Sequence, residues 1–249
     1  MVKQPTVSVV IPSYNEASYI DRLLEALTKQ SFKDFEVIVS DAQSKDGTKE
    51  VVASFGKKLN IKLFEAPPKG PAYGRNQGAK QARGEWLLFL DADDDIEDTE
   101  FLNTLLKQSE LHGWQTASTK MKVRDATAAE HFGTWFNYQY TKLLQHTKHP
   151  VAAGWCILTK RELFESLKGF NEKIHFGEDY DYVSRAGSKG FGFTDKTYYY
   201  MDLRRFRSEG LRFVVKGWAN EIYRHTHHYN LEDNPHKYEF GKHKPRDKN

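Results

Sequence analysis

The sequence contains one cysteine, Cys156, in 249 residues. No internal disulfide can form, which excludes a small bridged scaffold and suits a reducing compartment. No stretch approaches the ~18 consecutive apolar residues of a membrane span. The opening residues Met1-Val2-Lys3-Gln4-Pro5 lack the apolar segment of a signal peptide, and no Asn-x-Ser/Thr acceptor occurs. A cytoplasmic location is the expectation from these absences. Charge of one sign is also scarce: 37 basic and 34 acidic residues leave a net charge of +3. That is too little to argue for a nucleic-acid partner, which only the basic tail supports. There is no internal repeat and no low-complexity block. What is present is a chain 39% hydrophobic and 29% charged, the balance of a globular protein with a sizeable core. Its length suits one large α/β domain, or one domain with an appendage.

The first half alternates regularly. Val7–Ile11 is a β-branched run, and Pro12 is expected to end it. Ile20, Leu23, Leu24 and Leu27 follow helical spacing and predict a helix over 17–29. Strands are predicted at 35–40 and 61–64, with a helix from the polar loop 41–48 to about Phe55 between them. The breakers at 66–71 lead into a helix over 72–82, stopped near Gly84. Trp86–Leu90 is apolar without alternation, the pattern of a strand buried on both faces. This β-α-β-α-β-α-β order implies a mostly parallel, helix-flanked sheet. Further on, helices are predicted from Phe101, over 131–144 and over 161–167, and strands at 115–123, 151–158 and 191–200. Residues 177–186 read as a loop turning into a helix, and 211–223 as an amphipathic helix before a polar tail.

Asp91-Ala92-Asp93 ends the Trp86–Leu90 run. Open α/β sheets bind ligands at the carboxyl ends of their strands. Two Asp residues spaced i, i+2 there can hold a hard divalent cation, which in turn clamps a diphosphate. Asp94 and Asp95 follow, and the same acids also suit a solvated loop capping the next helix. Three further clusters fall at matching places. Pro12-Ser13-Tyr14-Asn15-Glu16 leaves the first strand. Asp41 leaves the second, with Asp46-Gly47-Thr48 five residues on, and can accept from the N–H of a uracil-like base or cap a helix. Gly74-Arg75-Asn76 opens the helix before the fourth strand, where Arg75 can neutralise a phosphate or remain solvated.

Together these motifs resemble family 2 glycosyltransferases of the GT-A fold. The residues that carry the resemblance include Val7–Glu16, Val37–Asp41 with Asp46-Gly47-Thr48, and Gly74–Ala79. They continue with Gly84–Asp94, and with Gly169-Phe170-Asn171-Glu172 before Gly177-Glu178-Asp179. Coverage runs from about residue 5 to 210. The resemblance implies a Rossmann-like, mostly parallel sheet, a nucleotide-sugar donor (UDP-sugar favoured), Mg2+ or Mn2+, and inversion at the anomeric carbon. It assigns Pro12, Tyr14 and Glu16 to the nucleoside pocket and Asp41 to the base. It assigns Arg75 to donor phosphate, Asp91 and Ala92 to the donor or metal shell, Asp93 to the metal, and Asp179 to catalytic proton removal. An acidic helix start is the alternative for Glu178-Asp179-Tyr180-Asp181.

Two departures from the family pattern stand out. Many relatives carry a His some twenty residues past the acidic pair that completes the metal shell, whereas Tyr198–Leu203 contains none, leaving Asp202 or water as the third ligand. The Gln-x-x-Arg-Trp motif and membrane spans of processive relatives are absent, which points to transfer of a single sugar. Arg204-Arg205-Phe206-Arg207 offers charge for donor or acceptor phosphate, or forms a basic surface turn. His225, His227 and His228 suggest either a metal site or a solvated tail. The 211–224 stripe suits peripheral membrane contact or docking on the protein's own core, and the membrane reading implies a lipid-linked acceptor facing the cytoplasm. Trp114, Trp135 and Trp155 suit either sugar stacking or packing. The expected organisation is a GT-A domain over 1–207 and a helical extension over 208–249, with a glycan or lipid-linked acceptor. The rival readings are a sugar-1-phosphate nucleotidyltransferase, disfavoured because 12–16 has no glycine, and a non-catalytic nucleotide-sugar-binding or scaffold protein.

Overall fold

Val9, Val10 and Ile11 are fully buried, as are Leu87, Leu88 and Phe89. Successive strand residues face opposite sides, so these strands are covered on both faces. The computed structural model describes residues 4–152 and 156–233. It contains strands β1 (Val7–Ser13), β2 (Phe35–Asp41), β3 (Ile61–Glu65), β4 (Trp86–Leu90), β5 (Thr116–Lys122), β6 (Cys156–Lys160) and β7 (Phe191–Tyr200). The helices are α1 (Ile20–Thr28), α2 (Thr48–Ser54), α3 (Pro71–Gln81), α4 (Phe101–His112) and α5 (Ala128–Leu144). They continue with α6 (Arg161–Ser166), α7 (Glu178–Gly187), α8 (Arg204–Glu209) and α9 (Leu211–Thr226).

One sheet runs β3-β2-β1-β4-β6-β5-β7. β6 alone is antiparallel to its neighbours β4 and β5, while the other pairings are parallel. β1, β2, β4, β5 and β7 therefore all release their carboxyl ends at one edge. On one face, Val9, Ile11, Val37 and Leu88 pack with residues of α1 and α4. On the other, Val10, Ile38, Leu87 and Phe89 meet α3, α6 and α7, including Phe164 and Tyr182. α3 approaches β1 closely: a Cβ on Gly78 would lie 2.5 Å from Val10 Cγ1, and one on Gly74 would lie 3.2 Å from Pro12 Cβ.

β1 continues past Pro12, which pairs with Ser40, to Ser13, which pairs with Asp41. The ladder to β4 stops at Val10, so Pro12 has a strand on one side only, a position that tolerates a missing N–H. The strand expected at 151–158 is β6, shifted toward 160; residues 153–155, including Trp155, lie outside the described residues, as does the tail from 234. α8 is a helix where a basic turn was one expectation, and the expected domain boundary at 207/208 falls inside it.

Candidate active site

The acids after β4 are each neutralised differently. Asp91 Oδ1 accepts from Arg75 Nη2 at 2.7 Å. Asp93 Oδ2 lies 3.0 Å from Arg204 Nη2. Asp95 pairs with Arg124. Asp94 turns inward, buried, and its Oδ2 accepts from the Asp91 N–H at 2.9 Å. Burial, then the Asp91 and Asp93 charges, holds the Asp94 carboxyl well above the ordinary carboxylate range. Ala92 is buried beneath the turn, leaving Asp91 and Asp93 part-exposed at the rim.

Arg75 is the central strut. Its side chain is 4% exposed, and Nη1 donates to Glu178 Oε1 at 2.7 Å while Nη2 serves Asp91. One guanidinium thus ties the end of β4 to the first residue of α7. Burial opposes the Arg75 charge, and the Asp91, Glu178 and Asp179 carboxylates outweigh it and raise its pKa. The adjacent Asn76 latches the turn before α7. Its Nδ2 donates to Phe170 O and Glu172 Oε1, and its Oδ1 accepts from the Phe170 N–H. Gly177 caps α7 at φ +87°, the left-handed region that favours glycine. Asp179 then stands half-buried in the first turn of α7, its Oδ1 accepting from the Tyr180 N–H.

A second arginine makes a parallel bridge. Arg204 Nη2 donates to Glu16 Oε1 at 2.8 Å and Oε2 at 2.9 Å, and reaches Asp93 as well. Its guanidinium carbon lies 3.8 Å from the Tyr19 ring centroid. Its Nη1 is buried with no hydrogen-bond partner among the described residues. Burial and the Asp93 charge push Glu16 up to about 8, with Arg204 pulling the other way. α8 thereby brings a cation to the rim from the far end of the chain.

The loop after β1 is held from the other side. The Asn15 N–H donates to Ser44 Oγ, the Glu16 N–H to Thr48 Oγ1 and the Ala17 N–H to Asp46 Oδ2. Asp46-Gly47-Thr48 is thus the clamp that shapes 15–17. Asp41 is 0% exposed: it accepts from Ser13 Oγ, Ser44 Oγ and the Ser44 N–H. Pro12, near the end of β1, and Tyr14, at the start of this loop, are half-buried.

Asp91 and Asp93 fit a hard divalent cation by donor type. Mg2+ or Mn2+ bound for a diphosphate takes only one or two carboxylates and completes its shell from phosphate and water. Among the described residues, no group of three or more His, Cys, Asp or Glu forms a cage of its own. Asp202 is turned elsewhere, to Arg22 at 3.4 Å and the Arg204 N–H at 2.8 Å. His225 neighbours Tyr140 and Tyr229, and His227 stacks on Tyr223. Trp114 packs on the core against His112, whereas Trp135 is exposed.

Sequence reasoning did not place Glu178 in the site, because an acid at a helix start has an adequate local explanation. The adjoining motif was the available signal: Gly74-Arg75-Asn76 and the 169–179 stretch are each other's partners.

A sequence model described as Glycosyl transferase family 2 matches residues 8–168. Poly(ribitol-phosphate) beta-N-acetylglucosaminyltransferase TarS of Staphylococcus aureus is 45% identical over 93 residues, covering 36% of this chain and 16% of that protein. Glycosyltransferase AglE of Haloferax volcanii is 30% identical over 198 residues, covering 76% of this chain and 64% of the relative. The chain thus spans less than two thirds of either relative's length. The crystal structure of S. aureus TarS 1–349 in complex with UDP-GlcNAc superposes with a TM-score of 0.67 at 27% identity, covering 88% of this chain and 66% of that one. Mannosyltransferase PcManGT from Pyrobaculum calidifontis, in complex with GDP-Man and Mn2+, gives 0.74 at 22% identity, covering 91% and 64%, a likeness of fold. The fold is GT-A.

Proposed function

The chain belongs to glycosyl transferase family 2, and on that premise we propose that it moves a single sugar from a nucleoside-diphosphate sugar to an acceptor hydroxyl, with inversion. The observation that carries this reading is the Arg75 bridge. It joins Asp91, on the donor side, to the helix start that presents Asp179, with 2.7 Å contacts at both ends.

In this reading Asp179 removes the acceptor hydroxyl proton as the oxygen attacks the anomeric carbon. The bond from that carbon to the diphosphate breaks, and the nucleoside diphosphate leaves. A single displacement inverts the centre. Asp91 and Asp93 would hold Mg2+ or Mn2+, which offsets negative charge on the departing diphosphate. Arg204 is the rim cation with donor capacity to spare, and is assigned to the same phosphates. Arg75 and Asn76 act as positioning residues, since their side chains are committed to the α7 region. Pro12, Tyr14 and Glu16 line the nucleoside side. Asp41 is assigned to the base through the loop it anchors, and reaches the base directly only if Ser44 yields. UDP is the favoured nucleotide, supported by the UDP-GlcNAc complex of TarS. The acceptor is a glycan or a lipid-linked saccharide.

Calorimetric titration with UDP, GDP, CDP and dTDP, each with and without Mn2+, tests this on wild type and Asp93→Ala. The expected outcome is metal-dependent binding of one nucleotide, UDP, lost in the variant. Absence of binding by every nucleotide overturns the donor site and leaves a scaffold reading in front.

A further inference from the structure

α5 and α9 expose large apolar side chains on matching stripes. On α5 these are Phe132 (64% exposed), Trp135 (53%), Phe136 and Leu143, at spacings that share one helix face. On α9 they are Val215, Trp218 (48%) and Ile222 (62%), spaced i, i+3, i+7. The Phe136 and Trp218 rings lie 5.4 Å apart and join the two stripes. Tyr140 of α5 donates to Glu221 of α9 at 2.6 Å, fixing one helix against the other. Single exposed apolar residues are ordinary on a protein surface; a joined patch of this kind marks an interaction site.

The charges identify the partner. α5 contains one acid, Glu130, and α9 one acid, Glu221. Both are buried and paired, Glu130 with Arg207 and Glu221 with Arg224. The exposed charged side chains described on the two helices are therefore basic, Lys142 and Lys216 among them. Asp195 of β7 pairs with Lys142 at 3.3 Å. We propose that the joined outer faces of α5 and α9 dock on a bilayer containing anionic phospholipid. Trp and Phe suit the headgroup boundary, where an apolar face enters the lipid and Lys engages its phosphates. A second copy of this chain is disfavoured, because a two-fold contact must be self-complementary and the described side chains of α5 and α9 offer no exposed acid to meet the lysines of a mate. The chain beyond 233 does not complement the face either: its five Lys and Arg residues (237, 242, 244, 246 and 248) outnumber Glu239 and Asp247. This proposal does not depend on the transfer reaction, since none of these residues belongs to the donor site.

Vesicle flotation of the full chain tests it, using phosphatidylcholine alone and phosphatidylcholine mixed with phosphatidylglycerol. The expected result is flotation with the mixed vesicles, weakened by salt, and quenching of tryptophan emission by brominated acyl chains. Lys216→Gln should lower the partition coefficient about fivefold. Trp135→Ser with Trp218→Ser should lower it by on the order of tenfold per residue, with unchanged circular dichroism confirming the fold. Three results overturn the proposal: no flotation of wild type with mixed vesicles, flotation unaffected by the double substitution, or a sedimenting dimer that the double substitution splits and that does not float.

Discussion

At the scale of single residues, the site consists of carboxylates whose partners decide what each can do. Asp91, Asp93, Asp94 and Asp95 fall within five consecutive positions, yet only Asp91 and Asp93 share an arginine with a distant glutamate, Glu178 and Glu16 respectively. Asp94 is buried, and Asp95 belongs to Arg124. Asp179→Asn keeps the shape and removes the base, so turnover should fall by about 10²–10⁴. Nucleotide affinity, measured by the calorimetry above, should stay unchanged; equal loss of both would make Asp179 a binding group. Arg75→Met makes a different prediction. It strands Glu178 and Asp91, of which Glu178 is the more buried. Removing one partner of a buried pair costs about 3–5 kcal/mol, and the low end applies because Asp91 is a quarter exposed. Urea denaturation should show a lower midpoint, and an unchanged midpoint would remove Arg75 as a strut.

At the scale of elements, the amino ends of the strands are locked by a network remote from the site. Glu36 of β2 accepts from Ser8 Oγ of β1, from the Arg83 N–H and from the Arg83 guanidinium. Ser8 Oγ in turn accepts from the Gly84 N–H in the turn before β4. Burial alone would raise the Glu36 pKa, but these hydrogen bonds outweigh it and hold the carboxyl below its ordinary value. The folded state therefore binds the proton less readily than the unfolded chain. The resulting stability is complete above the unfolded pKa, about 4.3, and is lost as pH falls through the folded value. Glu36→Gln should be less stable than wild type at neutral pH, with the gap narrowing below about pH 4. Denaturant midpoints across that range measure it, and a constant gap would assign the loss to packing. Helices α5 and α9 show the same dependence on pairing. The α9 stripe is legible as a spacing of apolar residues, but its continuation onto α5 required the contact between Phe136 and Trp218.

At the scale of the whole molecule, one sheet edge gathers groups from both ends of the described chain. Glu16 follows β1, Arg204 opens α8, and they meet over Asp93. A ligand bound at this edge contacts segments that would separate on unfolding, so it should stabilise the fold as a unit. UDP with Mn2+ at a hundred times its Kd should add about 2.7 kcal/mol. The thermal midpoint should rise with UDP concentration in wild type and stay flat in Asp93→Ala. A rise of the same size in the variant would place nucleotide binding away from this edge.

The sequence by itself determined the alternation of strands and helices through residue 90 and the burial of β4 on both faces. It also determined the position of the acids at the carboxyl end of β4. These follow from local rules: β-branched runs, i, i+3, i+4 spacing, and polar residues where a buried strand ends. Pro12 misled at a boundary because whether a missing N–H matters depends on which neighbour strand is present. Only the tertiary structure decided the partners. Arg75 and Glu178 are 103 residues apart, Asn76 and Phe170 are 94 apart, and Arg204 and Glu16 are 188 apart. An arginine near a helix start reads equally as a phosphate ligand, a solvated side chain or a strut, because its own neighbours are the same in each case. Strand order and crossover direction choose among them, and those are properties of the closed sheet rather than of any segment within it.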